Sequence, residues 1–334
     1  MESWNLVDYG IFTSSMLTRL AVEFVIIFFV LSGFSIGHSI SKSQNTAKFY
    51  KKRLLRIYPP YLFALVWAGV VYLITYQLHP EFYSNIYHTP TFERYARMNY
   101  FFELENIIKN IFYLPMKGFI VQFWSLTYEI IFYILAPILF LKKRIYYYIS
   151  AIFFSIYLVF GESYHILHFD SILLKYFFLY NFFFAIGWYL YYNFETILSF
   201  LHKMNRTTYV VVILFLLLST YAINIYLQSE TVWSYIPSGL LSVVLILYFL
   251  KYRIRIKPLM VLGRYSYTLY ITHVASIFLY HSIYYTLFPN VNPPYIFNFL
   301  VFIPAIFFSI GVAYIQYEIV EKKTKNLLNK MRKN

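Results

Sequence analysis

Two arginines, a glutamate and a histidine stand out because each lies within or at the edge of an apolar stretch, where an ionisable group is costly and marks function. Arg53 and Arg56, in Lys51-Lys52-Arg53-Leu54-Leu55-Arg56, can offer two guanidinium forks to one anion. Such planar forks bind phosphate oxygens in pairs. Glu129 closes Trp124-Ser125-Leu126-Thr127-Tyr128-Glu129, and His273 closes the polar run that begins at Leu262-Gly263-Arg264-Tyr265-Ser266-Tyr267. A carboxylate beside an imidazole is what proton transfer from a hydroxyl needs. Glu23 belongs with them in an outer polar layer, and His38, Arg264 and Glu318 belong with the two arginines in an inner one. Two polar layers on opposite sides of one bilayer suggest two substrates, one from each side.

Each residue also has a structural reading. Glu129 can pair with backbone or an arginine to lock two helices, and His273 can be a packing residue that hydrogen-bonds across helices. Arg53 and Arg56 can simply mark topology, because basic residues gather in such loops. His38 sits at a helix end, where interfacial residues are common, and His79, His88 and His281 have weaker claims still. His165-Ile166-Leu167-His168-Phe169-Asp170 fits an HxxxxD pattern and looks like a metal cluster, yet it stands alone in a short loop. A motif without its context is weak, so no metal is assigned.

The elements that must carry these residues are membrane helices. The chain is 60% hydrophobic and 13% charged, against about 25% charged in soluble domains. A net charge of +14 would suggest nucleic acid in a soluble protein; here the excess of cytoplasmic Lys and Arg in membrane proteins explains it better. The chain has no cysteine, which excludes disulfides and thiol nucleophiles. Segments long enough to cross about 30 Å of hydrocarbon fall near 18–40, 58–78, 122–141, 145–161, 172–192, 208–227, 236–250, 259–284 and 297–319. The expectation is an all-α, polytopic bundle of nine spans, forming one domain over residues 1–334. With 41–57 in the cytosol, 21 of the 28 Lys and Arg fall in inside loops and in the tail 320–334. That balance fits an inner-membrane protein with a cytosolic C-terminus.

The longest connection, 79–121, then lies outside, and its Phe101–Tyr113 stretch has the spacing of a helix lying on the membrane face. Counting along the spans, Glu129 lies about 10 Å below the outer surface and His273 about 21 Å above the inner end.

The chain resembles the membrane acyltransferase-3 family. The blocks that carry the resemblance are FFVLSGF at 28–34, Phe49 to Pro59, Phe123 to Glu129, Leu262 through His273, and Tyr317-Glu318-Ile319-Val320-Glu321-Lys322, in the family's order. What this implies is an enzyme that takes an acyl group, most simply acetyl, from cytosolic acyl-CoA. It would pass the group to a hydroxyl of a cell-surface polysaccharide or lipid-linked oligosaccharide. The family's RxxR pair falls on Arg53 and Arg56 as the donor site, and its WSLxxE glutamate falls on Glu129. Acyl-CoA would be a co-substrate, with no bound cofactor or metal and no nucleic acid partner.

One departure qualifies this. The family usually opens with a helix carrying an Arg and, after ten intervening residues, a His required for transfer. Eleven residues after Arg19 stands Val30. The expectations are that the natural start lies upstream, that the chain as given is inactive, or that His273 or His38 serves instead. The rival reading is a polymerase or flippase for lipid-linked sugars, which would not depend on CoA.

Overall fold

In a computed structural model, residues 21–43, 45–84, 103–113, 123–160, 172–227, 232–289 and 299–333 are described, and among them every regular element is helical. The helices are α1 (Ala21–Ser41), α2 (Thr46–Leu78), α3 (Leu104–Ile111), α4 (Trp124–Leu141), α5 (Lys143–Phe160), α6 (Ile172–Tyr192), α7 (Phe194–Phe200), α8 (Arg206–Leu227), α9 (Val232–Lys251), α10 (Lys257–Arg264), α11 (Ser266–Leu287), α12 (Phe299–Gln316) and α13 (Lys322–Lys333). A 3₁₀ turn, Pro80–Tyr83, follows α2, and a π turn, Tyr317–Glu321, joins α12 to α13. Among the described residues, six helical stretches are long and apolar enough to cross a membrane: Val22–Ser41, Thr46–Leu78, Trp124–Leu141, Arg206–Leu227, Val232–Lys251 and Val301–Leu328. The other three expected spans are also helical, as α5, α6 and α11.

The chain divides into two compact units. The first comprises Lys51–Thr127 and Lys257–Asn334, with Met1–Ser15; the second comprises Met16–Tyr50 and Tyr128–Ile256. In the second unit α1 packs along α6, α5 along α6, and α9 along both α8 and α1. Association of helices in lipid rests on close packing, which small residues permit. Gly33 and Gly187 show it directly. A Cβ on Gly33 would meet the Phe184 carbonyl oxygen at 2.0 Å, and one on Gly187 would meet the Val30 carbonyl oxygen at 1.8 Å. Aromatic stacking fills the remaining space: Phe29 on Tyr180 at 4.7 Å and Phe132 on Phe184 at 4.6 Å between ring centres.

In the first unit α11 packs along α12, and the core joins Tyr61, Ala68 and Val71 of α2 to Ile271, Ala275 and Phe278 of α11. Two features here differ from the sequence expectations. The basic run 51–56 is not a loop before a span; it is helical and continuous with it, through Pro59 and Pro60. Membrane helices tolerate internal prolines because neighbouring groups satisfy the freed backbone. The expected span 259–284 is broken at Tyr265 into α10 and α11. Gly263, a weak helix former, lies just before the break, and the Ser266 hydroxyl bonds back to its carbonyl at 3.3 Å.

Candidate functional site

Arg53 and Arg56 lie in the first third of α2, three residues apart and thus on adjoining helix positions. Arg53 is buried, at 8% exposure, and Arg56 is exposed. The pair therefore has an anchored member and a free-standing one. Because proline has no N–H to bond four residues back, Pro59 and Pro60 leave the carbonyls of Leu55 and Arg56 without their usual helical donors. Next to this irregular stretch, Tyr267 of α11 donates its hydroxyl to the Ile57 carbonyl at 3.1 Å.

The short helix α3 reaches the same part of α2. Tyr61 donates to the Asn110 carbonyl at 2.7 Å, Tyr58 donates to the Ile111 carbonyl at 3.5 Å, and the Tyr61 and Tyr113 rings stack at 3.9 Å. Thr127, at the start of α4, fixes the following turn by donating to the Tyr113 carbonyl at 2.6 Å. Tyr61 lies about 25 Å along α2 from its Leu78 end, and only about 12 Å from Arg53. A helix confined to the membrane surface beside Leu78 would not touch Tyr61. The segment expected to lie on the membrane face thus packs its Asn106 and Asn110 side into the first unit and leaves Leu104, Ile108 and Phe112 exposed.

His273 stands in the same unit, half-buried, as the eighth residue of α11. The break at Tyr265 puts it about 10 Å from the start of its helix, half the distance that an unbroken span from 259 implied. Its Nδ1 lies 2.7 Å from the Tyr270 carbonyl. A carbonyl accepts only, so Nδ1 carries the proton and Nε2 carries the lone pair. The Tyr270 hydroxyl shares a 2.5 Å hydrogen bond with the hydroxyl of Ser125, next to Trp124. Tyr270 thus ties the Trp124-Ser125 turn to the helix turn that orients the imidazole.

Arg264 ends α10, exposed, and its carbonyl accepts Lys325 Nζ at 2.6 Å. Lys325 also pairs with Glu321 at 2.7 Å, and Thr268 donates to the other oxygen of Glu321 at 2.5 Å. This buried knot holds the π turn and α13 against the base of α11. Glu318, expected in the inner layer, pairs with Lys322 one turn on.

Glu129 belongs to the second unit. It is buried, and one carboxylate oxygen accepts hydrogen bonds from Tyr133, one turn along α4, and from Ser32 of α1 at 3.4 Å. The glutamate thus ties the FFVLSGF helix to α4. Glu23 is buried against Asn224 and Ser234. His38 is exposed near the end of α1, its ring edge-on to Tyr191 at 5.5 Å. Beside it Ser41, Tyr191, Tyr192, Phe194, Glu195 and Thr196 line a recess of about 410 Å³.

Sequence reasoning set His79 aside. In the first unit, its Nδ1 is 2.8 Å from Glu81, and its Nε2 is 3.1 Å from both the Ser282 carbonyl and the Thr286 hydroxyl. The ring clasps the end of α2 to the end of α11. The spacing of His79 and Glu81 hinted at the pair, but the partners on α11, more than 200 residues away, left no trace in the local sequence. His165, Asp170 and most of 79–121 lie outside the described residues.

Residues 3–318 match a family described as an acyltransferase domain. No curated protein and no solved structure matches the chain.

Proposed function

This chain belongs to the acyltransferase-3 family and is a multi-pass membrane protein, and from that premise we propose that it transfers an acyl group, most simply acetyl, from acyl-CoA to a hydroxyl of a cell-surface polysaccharide or lipid-linked oligosaccharide. The donor enters from the cytosolic side, where the Lys and Arg excess and the C-terminal tail lie, in the inner membrane. Arg53 and Arg56 hold the CoA phosphates. The thioester then points along α2 toward the level of Tyr61, where the dipping α3 shortens the path between donor and acceptor.

The observation that carries the reading is the state of His273. With Nδ1–H committed to the Tyr270 carbonyl, Nε2 is left to accept a proton. The acceptor hydroxyl attacks the thioester carbonyl, and its proton passes to His273 Nε2. The C–S bond breaks, and the proton leaves with the sulfur as CoA-SH. Glu129, in the second unit, is assigned to orienting the acceptor. No bound cofactor takes part.

The test is transfer activity with Arg53→Gln and Arg56→Gln combined, in membranes shown to contain the protein. Transfer should be abolished. Retained transfer removes the donor site from α2, and synthesis of a glycan that needs no acyl-CoA turns the assignment to a polymerase or flippase.

A further inference from the structure

The cluster around Glu23 has more acceptors than donors. Glu23 and Asn224 are each 3% exposed, and Ser234 is fully buried. Glu23 Oε1 accepts from Asn224 Nδ2 at 2.7 Å and from Ser234 Oγ at 2.8 Å. The same amide nitrogen donates its second proton to the Thr220 carbonyl at 3.1 Å. The nearby hydroxyls are also committed: Thr220 donates to the Leu216 carbonyl and Ser238 to the Ser234 carbonyl, each at 2.9 Å. These donors are thus in use, while among the described residues Glu23 Oε2 and Asn224 Oδ1 have no hydrogen-bond partner.

A water molecule could occupy such oxygens but would leave the carboxylate charge uncompensated in a membrane interior, where it is most costly. Among the described residues, the charged groups of the packed helices pair elsewhere. Arg206 and Lys251 sit at the other ends of α8 and α9, about 25 Å along those helices from Asn224 and Ser234. Arg206 bonds to the Tyr248 hydroxyl, and Lys251 bonds to the carbonyls of Leu201 and Met204. Lys175 of α6 lies with its Nζ 5.8 Å from the centre of the Tyr176 ring. Tyr221 precedes Asn224 by one turn and Tyr235 adjoins Ser234, and a phenol brings no positive charge in either form.

We infer that Glu23, Asn224 and the adjoining Thr220, Ser234 and Ser238 hydroxyls form a site for one monovalent cation, an alkali ion or a proton, that neutralises Glu23 within the second unit. The oxygen-only ligand set suits a hard cation. The inference does not rest on acyl transfer and holds for the chain whatever its acceptor.

The experiment is thermal unfolding of the full chain in detergent. Sodium chloride is exchanged for choline chloride at constant ionic strength, and the series is repeated across pH. A saturable rise in Tm with sodium at fixed pH identifies the alkali ion. A rise only on acidification identifies the proton. In either case Glu23→Gln, which is isosteric and neutral, should remove the dependence, and Asn224→Ala should weaken it. Lys175→Gln should leave it in place. The inference is overturned if wild type responds to neither variable, if Glu23→Gln responds as wild type does, or if Lys175→Gln alone abolishes the response. Should Glu23→Gln fail to fold, the Asn224→Ala midpoint decides, and a midpoint equal to wild type counts against the site.

Discussion

At the scale of single residues, the two arginines should behave differently although their types are the same. Arg56 is exposed, so Arg56→Gln should raise KM for acyl-CoA while thermal stability stays at the wild-type value. Loss of a charge-assisted hydrogen bond, about 1.5–3 kcal/mol, corresponds to a KM increase of roughly 10- to 100-fold. Arg53 is buried, and Arg53→Gln should lower stability as well as affinity. Equal effects on stability would contradict the division. His273→Gln should reduce kcat by about 10²–10⁴-fold, the range of a lost general base, with KM for the donor little changed. A wild-type kcat would exclude His273 as the base. The sequence marked both positions because ionisable types in apolar surroundings are rare. It could not show that Arg53 and Arg56 differ in burial, nor that Tyr270 fixes the imidazole tautomer. Those depend on packing between segments far apart in the chain.

At the scale of elements, two contacts carry testable consequences. Gly33 meets the α6 backbone so closely that any Cβ collides with a carbonyl. Backbone cannot swing aside as a side chain can, so Gly33→Ala should cost about 1–3 kcal/mol, the usual range for overpacking. A Tm equal to wild type in detergent would show that α1 and α6 do not meet there. For α3, the absence of cysteine throughout the chain makes single-cysteine labelling clean. Asn110→Cys should resist a membrane-impermeant maleimide until the protein is denatured; rapid labelling on intact cells would return α3 to the surface. The helices themselves were legible, since nearly every apolar run became one. The errors arose where local signals were overridden. The sequence reads as a span that begins at 58, after a loop, yet α2 starts at Thr46 and runs on through Pro59 and Pro60, because a membrane helix can shed two backbone bonds when neighbours compensate. The apolar spacing of 101–113 reads as a surface helix, and Leu104, Ile108 and Phe112 are indeed exposed; what the spacing could not show is that Asn106 and Asn110 turn inward, toward α2.

At the scale of the whole molecule, the charge pattern of the loops predicts sidedness. Cysteines placed singly at Ser43, Met204 and Asn326 should label only from the cytosolic side, and one at Ser84 only from outside; any reversal would break the assignment of 41–57 to the cytosol. The order of blocks from 28 to 322 supplied the family, because five moderately specific segments in sequence are far more restrictive than any one. The acceptor left no such mark, since a sugar hydroxyl demands little more than a base and a fitting surface. The central claim is that this chain moves an acyl group from CoA to a glycan. It is tested most directly with inside-out membrane vesicles from acceptor-producing cells, supplied with radiolabelled acetyl-CoA. The account predicts alkali-labile label in the glycan fraction that requires the chain and is lost with His273→Gln. Label no higher than in vesicles without the chain, from cells known to make the acceptor, would contradict it.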